Sequence, residues 1–120
     1  MTFTLWTYNI ETILGEKVET VLSRNVFSTR PRDFYDIYAL VHTQAYDRKL
    51  FEAALRATAR HRESINSIKN IEEILNVMEH DLDLKRLWQN YRRQFSYASS
   101  IDYEQIMITL RELLEDICLV

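Results

Sequence analysis

The residues best suited to chemistry lie on two neighbouring predicted helices near the start of the chain. Lys17 lies on the apolar side of the first helix, within about 20° of Ile10 at the helical advance of roughly 100° per residue. Its stem could lie along the core while its charge stays in water. Alternatively, the ammonium points into a cleft that holds a phosphate or a carboxylate, because a desolvated ammonium needs a counter-charge.

The second helix carries Arg32, Asp33 and Asp36, whose spacings of three and four place them on one polar face. Each has an ordinary explanation. Asp33 falls in the first turn, where an acid offsets the helix dipole, and Arg32 with Asp36 forms a surface pair worth roughly a few tenths of a kcal/mol. The short connection over residues 25–29 can bring this face next to Lys17, and the combination favours a functional cluster.

Composition indicates which elements must position these side chains. The chain has 120 residues, 47% apolar, with a net charge of −3, one proline and one glycine. At the usual glycine frequency of about 7%, roughly eight would be present. Glycine-rich phosphate loops are therefore excluded, and a sandwich or barrel, which needs many tight turns, is disfavoured. The prediction is a mainly α protein.

Apolar residues return at helical spacing in six segments separated by short polar breaks. The residues expected to start or cap the helices are Asn9, Pro31, Asp47, Asn70, Asp81 and Asp102. Asn70 with Glu73, and Asp102 with Gln105, have the spacing of a capping box. The pattern predicts a compact bundle of about six helices over residues 1–120, a single helical domain. Residues 2–8 alternate apolar and polar side chains, which is typical of a short strand.

The remaining signals set broad limits. Cys118 is the only cysteine, so no internal disulfide can form, and a cytoplasmic protein is expected. No segment resembles a signal peptide or membrane span. His42, His61 and His80 are isolated, with no second ligand at helical spacing other than ordinary acids, so no metal site is predicted.

Two basic patches favour a binding function instead of a catalytic one. In this alternative the chain is a stand-alone helical interaction module that binds a nucleic acid or a protein partner. The first patch comprises Arg56, Arg60 and Arg62, and the second comprises Lys85, Arg86, Arg92 and Arg93. The module would bind through all of these residues except Arg62. Acidic neighbours accompany both, so ordinary solvated helix faces are the competing explanation.

Three runs carry a family resemblance: residues 8–17 (YNIETILGEK), residues 30–38 (RPRDFYDIY) and residues 87–97 (LWQNYRRQFSY). Together they closely resemble the AbiEii/AbiGii family of nucleotidyltransferase toxins. The Glu-Lys pair on one helix and the Arg-Asp-x-x-Asp sequence on the next are specific in combination.

The resemblance implies a polymerase-β-like nucleotidyltransferase, the toxin of a bacterial toxin-antitoxin or phage-defence pair. For the alternative of a stand-alone helical interaction module, the resemblance implies the antitoxin as the protein partner. Such an enzyme binds Mg²⁺ and a nucleoside triphosphate and transfers a nucleotide to an acceptor, an RNA in some members. By this analogy Lys17 contacts the triphosphate and Arg32 belongs to the nucleotide site. Asp33 and Asp36 are then catalytic residues of the last motif, where an acid can accept or position a proton.

In the family, an Asp-x-Asp pair after a glycine-rich loop holds the metal. The sequence has neither in the expected place, since its one Asp-x-Asp, Asp81-Leu82-Asp83, follows the later motifs. The resemblance therefore implies the C-terminal helical part of a larger enzyme, with no cofactor of its own and inactive without the N-terminal catalytic half. Residues 2–8 would be the last strand of the missing sheet, with self-association through its uncovered edge.

The single glycine also departs from the family pattern. Gly15 stands where the family usually has alanine before the Glu-Lys pair, and a glycine inside a helix costs roughly 1 kcal/mol. The expectation is a weakened first helix.

Overall fold

The computed structural model describes residues 9–28 and 30–119. These residues form seven α-helices: α1 Ile10–Arg24, α2 Pro31–Thr43, α3 Arg48–His61, α4 Ile65–Ile68, α5 Ile71–His80, α6 Leu82–Gln94 and α7 Tyr103–Leu113. Two 3₁₀ turns lie at Asn25–Phe27 and Ser96–Ala98. The described part of the chain contains no strand, which confirms the mainly α bundle. The predicted strand at residues 2–8, with its edge, lies outside the described residues.

Six of the seven helices were expected, and α4 is additional. It is a single turn with no side-chain cap, so it carries none of the local signals that marked the others. Its last residue, Ile68, is fully buried, and this burial holds the turn against the bundle. Tertiary packing rather than local sequence therefore specifies α4.

Most of the predicted helix caps are present. The side chains of Asn9, Asp47 and Asp81 each accept a hydrogen bond from the backbone three residues on, and Asp102 forms the full capping box with Gln105. The predicted capping box at Asn70 is wrong. The backbone of Asn70 has φ −90° and ψ 68°, outside the extended region that the other caps adopt, and its side chain makes no cap hydrogen bond.

The core is continuous through the bundle, with α1 in contact with α2, α3, α4 and α5. Its largest fully buried side chains include Trp88, Phe34 and Phe51. Trp88 Nε1 donates to the carbonyl of Ile101 at 2.9 Å, and the buried hydroxyl of Tyr103 donates to the carbonyl of Met78 at 2.7 Å. Both aromatic residues therefore bury large apolar surfaces without leaving a polar atom unpaired.

Gly15 lies where α1 crosses α3. A Cβ atom at this position would be 3.0 Å from the carbonyl carbon of Ala54 and 3.0 Å from the amide nitrogen of Leu55. The absence of a side chain therefore allows the backbones of α1 and α3 to approach closely. This packing role was not expected from the sequence, where the glycine had indicated only a weaker helix.

Candidate functional site

Lys17 lies between two carboxylates of α2. Its Nζ donates a hydrogen bond to Asp36 Oδ2 at 2.9 Å and lies 3.7 Å from Asp33 Oδ1. The lysine side chain is 29% exposed, so it reaches a cleft edge rather than open solvent. The 3₁₀ turn after α1 and the start of α2 at Pro31 make this contact possible, since they return the chain alongside α1. Of the two counter-charges expected for Lys17, a phosphate or a carboxylate, the structure shows carboxylates.

Two arginines complete the charged cluster from the α2 side. Arg30 Nε lies 3.7 Å from Asp33 Oδ2, and Arg32 Nε lies 3.8 Å from Asp36 Oδ2. The Arg32 side chain is 78% exposed, and its one ion pair with a described residue is long. Most of its guanidinium N–H donors therefore face solvent, where they can bind an anion in the bidentate manner that arginine favours.

Asp33 and Asp36 differ in their access to solvent. The Asp33 side chain is only 8% exposed and lies between Lys17 and Arg30, whereas Asp36 is three times as exposed. A buried carboxylate needs a paired cation, which Lys17 and Arg30 provide. Asp36 is the more accessible of the two to a ligand. We name the set of Lys17, Arg30, Arg32, Asp33 and Asp36 the charged cluster.

A small cavity of about 160 Å³ opens beside Lys17. Pockets that enclose a drug-sized ligand usually measure about 300–1,000 Å³, so this cavity has room for a fragment such as one phosphate group. Its lining includes Lys17, Arg30 and Arg62, together with Glu16 and Asp33. Cationic and acidic side chains therefore both line the cavity.

Arg62, which the sequence placed only in a basic patch, reaches this cavity through a buried network that the sequence did not predict. Its Nη1 lies 2.5 Å from Oε1 of Glu19, whose Oε2 accepts hydrogen bonds from Ser64 at 2.7 Å and Ser23 at 2.8 Å. Burial alone would raise the pKa of Glu19. The hydrogen bonds from Ser64, Ser23 and Arg62 and the charge of Arg62 outweigh it and lower that pKa below its ordinary value. The sequence signal that could have revealed this network is Glu19 itself, a glutamate within the apolar pattern of α1.

Aromatic side chains also adjoin the charged cluster. The rings of Tyr35 and Tyr97 meet edge to face with centroids 4.7 Å apart, and the hydroxyls of Tyr91 and Tyr97 share a hydrogen bond of 2.7 Å. Burial and the bond to Tyr97 raise the pKa of Tyr91, and the nearby charges of Arg32 and Asp36 act on it in opposite directions. The Tyr91 hydroxyl is therefore within electrostatic range of the charged cluster.

The other candidates from the sequence lie apart from this cluster or are already paired. Asp81 caps α6, and Asp83 pairs with Arg86 at 3.5 Å, so the Asp-x-Asp sequence belongs to a helix start. Arg56 pairs with Glu52 at 2.8 Å and also donates to the carbonyl of Cys118. The two basic patches lie on different helices, α3 and α6.

Comparison with known proteins identifies the family. A family model described as the nucleotidyl transferase AbiEii toxin of a type IV toxin-antitoxin system matches residues 1–115. The chain belongs to the AbiEii family. No curated protein and no solved structure matches it. The AbiEii assignment confirms the resemblance seen in the sequence and gives the chain a toxin-antitoxin role of the nucleotidyltransferase type.

The AbiEii family implies a magnesium ion, and the charged cluster does not fit one. Lys17 Nζ already lies between Asp33 and Asp36, where a cation bound by both carboxylates would have to be. Among residues 9–28 and 30–119, no group of three or more His, Cys, Asp or Glu side chains could hold a metal ion. Oxygen-ligated Mg²⁺ takes carboxylates whose charge is free to bind it.

None of the described helices is long and apolar enough to cross a bilayer.

Proposed function

We propose that this chain is the helical part of an AbiEii nucleotidyltransferase toxin, a single domain whose charged cluster faces the nucleotide during transfer. Lys17 and Arg32 contact the phosphates, and Asp33 and Asp36 form the acidic part of the site. The observation that carries this proposal is the position of Lys17, a cation on the inward side of α1 that is held 2.9 Å from Asp36 and 3.7 Å from Asp33.

The arrangement suits a site that holds a phosphate by positioned charges. Lysine acts as a point charge beside phosphate, and an exposed arginine can grip two phosphate oxygens at once. Arg32 is the cluster's most exposed member, and Lys17 is fixed by two carboxylates. A phosphate that approaches the edge of this cluster would first contact the Arg32 guanidinium. It could then replace the Asp36 carboxylate as the partner of the Lys17 ammonium.

The aspartates have different roles in this proposal. Asp33 is nearly buried and holds Lys17 and Arg30 in place, so it positions the cations. Asp36 is more exposed and can accept or orient a proton of the acceptor hydroxyl once Lys17 turns to the phosphate.

The metal-binding carboxylates come, in this proposal, from a polymerase-β-like half that carries the glycine-rich loop and the Asp-x-Asp pair. Two facts support this division. The 120 residues contain one glycine, and Asp81 of the single Asp-x-Asp sequence is engaged as a helix cap. The further partners are the antitoxin that the family description implies and an acceptor such as RNA.

The first prediction concerns Lys17 in a protein that joins this chain to the metal-binding half. We expect Lys17→Gln to lower kcat/KM for nucleotide transfer by about 100-fold or more, since hydrogen bonds to charged groups are individually strong and transfer depends on positioned charge. Lys17→Arg, which keeps the cation between the aspartates, should retain the helical circular dichroism of the parent.

The matched control is Lys49→Gln, because Lys49 is exposed on α3 and belongs to no part of the site. It should change kcat/KM by less than about twofold. Unchanged transfer by a folded Lys17→Gln protein would contradict the proposed role.

A further inference from the structure

Four aromatic residues form a surface beside the charged cluster. We name this surface the tyrosine ledge, and it consists of Tyr35, Tyr91, Phe95 and Tyr97. Tyr97 is 49% exposed, while Tyr91 is buried beneath it and hydrogen-bonded to it. Phe95 lies between them, with its ring centroid 4.8 Å from that of Tyr91 and 5.4 Å from that of Tyr97. One aromatic ring is thus presented to solvent on a packed aromatic base.

The ledge is held in a fixed orientation. Tyr91 stacks on the fully buried Trp88 at 5.4 Å, and the 3₁₀ turn that carries Tyr97 is closed by a backbone hydrogen bond from Ala98 to Phe95. Arg92 donates to the carbonyl of Ser99 just after this turn and ties it to α6. The ring of Tyr97 is therefore preorganised, and a ligand that stacks on it loses little extra conformational entropy.

The ledge adjoins the charged cluster through Tyr35. Tyr35 precedes Asp36 directly and lies one helical turn after Arg32 on α2, and its ring packs edge to face against Tyr97. The Tyr91 hydroxyl experiences the charges of both Arg32 and Asp36. Tyr35 therefore connects the exposed Tyr97 ring to the helix face that carries the exposed Arg32 guanidinium.

This pairing of groups matches the chemistry of a nucleotide. A nucleobase has a flat π face that stacks on aromatic side chains whatever its sequence, and the adjoining phosphate binds arginine. The cations near the ledge, Arg32 on α2 and Arg92 and Arg93 in the last turn of α6, favour an anionic ligand over a neutral apolar one.

We propose that the tyrosine ledge binds a nucleobase by stacking on Tyr97, with the attached phosphate at Arg32. This inference rests on the proposed function, because it assigns the base-binding part of the same site. The base can belong to the incoming nucleoside triphosphate or to the single-stranded end of the acceptor, and the experiment separates these two sources.

The test measures binding of three probes to the full 120-residue chain by titration calorimetry. The probes are inorganic triphosphate, which has no base, the nucleoside triphosphates, and a single-stranded RNA hexamer. We expect Tyr97→Ala to weaken binding of a base-bearing probe by about 5- to 150-fold, the range that alanine substitution at stacking residues produces. Binding of inorganic triphosphate should change by less than about twofold.

Two further variants distinguish stacking from loss of structure. Tyr97→Phe removes the hydroxyl bond to Tyr91 but keeps the ring, so it should bind all three probes as the parent does. Phe27→Ala removes another highly exposed aromatic ring, on the first 3₁₀ turn, and should also leave binding unchanged.

The outcomes separate this inference from the proposed function. Loss of nucleoside triphosphate binding alone assigns the ledge to the incoming nucleotide, and loss of RNA binding alone assigns it to the acceptor. If Tyr97→Ala binds every probe as the parent does, or loses inorganic triphosphate equally, the ledge proposal is overturned while the charged cluster stands. If the parent binds no phosphate probe, or Lys17→Gln binds inorganic triphosphate unchanged, the charged cluster fails as a phosphate site.

Discussion

Lys17 and Glu19 are both charged residues on parts of α1 that face the protein, and each depends on partners from elsewhere in the chain. Lys17 is balanced by Asp33 and Asp36, whereas the buried Glu19 is balanced by Arg62 and by hydroxyl donors. A charge that leaves water without such partners would cost several kcal/mol, so these contacts are part of what fixes α1 against its neighbours.

The pH dependence of stability gives a prediction for Glu19. Its pKa is lowered in the folded protein, so its ionised form stabilises the fold above the ordinary value of 4.5, and this stabilisation is lost as the pH falls through the lower folded pKa. Glu19→Gln should lower the free energy of unfolding at pH 7 by about 1–3 kcal/mol. The difference in free energy of unfolding between the parent and Glu19→Gln should shrink as the pH falls below 4.5. Urea unfolding at pH 7 and near pH 3.5 measures this difference.

The control for this prediction is Glu112→Gln, since Glu112 is exposed on α7 and its carboxylate has no ion pair among the described residues. Its stability should differ little from that of the parent at either pH. A Glu19→Gln deficit that stays constant over this pH range would show that the charge of Glu19 does not supply the stabilisation.

At the scale of elements, the crossing of α1 and α3 decides how the charged cluster is presented. Gly15 lies at this crossing, two residues before Lys17. The close approach that it permits also brings Arg62, which follows α3, to Glu19 and Thr20 on α1. Helix α1, which Gly15 was expected to weaken, is thus held by α3, the helix against which Gly15 packs.

Gly15→Ala should therefore destabilise the protein, although alanine is the better helix former by about 1 kcal/mol. The new Cβ would lie 3.0 Å from backbone atoms of Ala54 and Leu55, which cannot rotate away. Overpacking of this kind costs typically about 1–3 kcal/mol, so we expect a lower midpoint in thermal unfolding.

A second substitution tests the cause. Ala54→Gly removes the neighbouring methyl group but leaves the backbone atoms in place, so it should not restore the stability of the Gly15→Ala protein. A stabilised Gly15→Ala protein would mean that helix propensity outweighs the close packing of α1 on α3.

At the scale of the whole molecule, the bundle supplies cations, aspartates and an aromatic ledge, but its described residues hold no group of metal ligands. Phosphoryl transfer depends on metal ions to neutralise developing charge. We expect the 120-residue chain with Mg²⁺ and any nucleoside triphosphate to transfer no labelled nucleotide to RNA. Fusion to a half that bears the glycine-rich loop and the Asp-x-Asp pair should produce transfer, and turnover by the chain alone would contradict the proposed division of labour.

The sequence by itself determined six of the seven described helices and indicated the candidate site residues on α1 and α2. Helix periodicity and caps are local signals, so the starts of α1, α2, α3 and α6 follow directly from residues such as Asp47 and Asp81. Lys17 and Asp36 were also found this way, because a charge on an apolar stripe and a spacing of three or four are visible in one dimension. Their roles in transfer stay predictions.

Only the tertiary structure decided which distant residues meet. Glu19 and Arg62 are 43 positions apart, and Tyr35 and Tyr97 belong to helical segments that no local pattern connects. The close packing around Gly15 likewise depends on α3, not on α1 itself. The physical reason is that burial, charge pairing and ring contacts between helices depend on how the faces dock, which periodicity within a single helix does not specify.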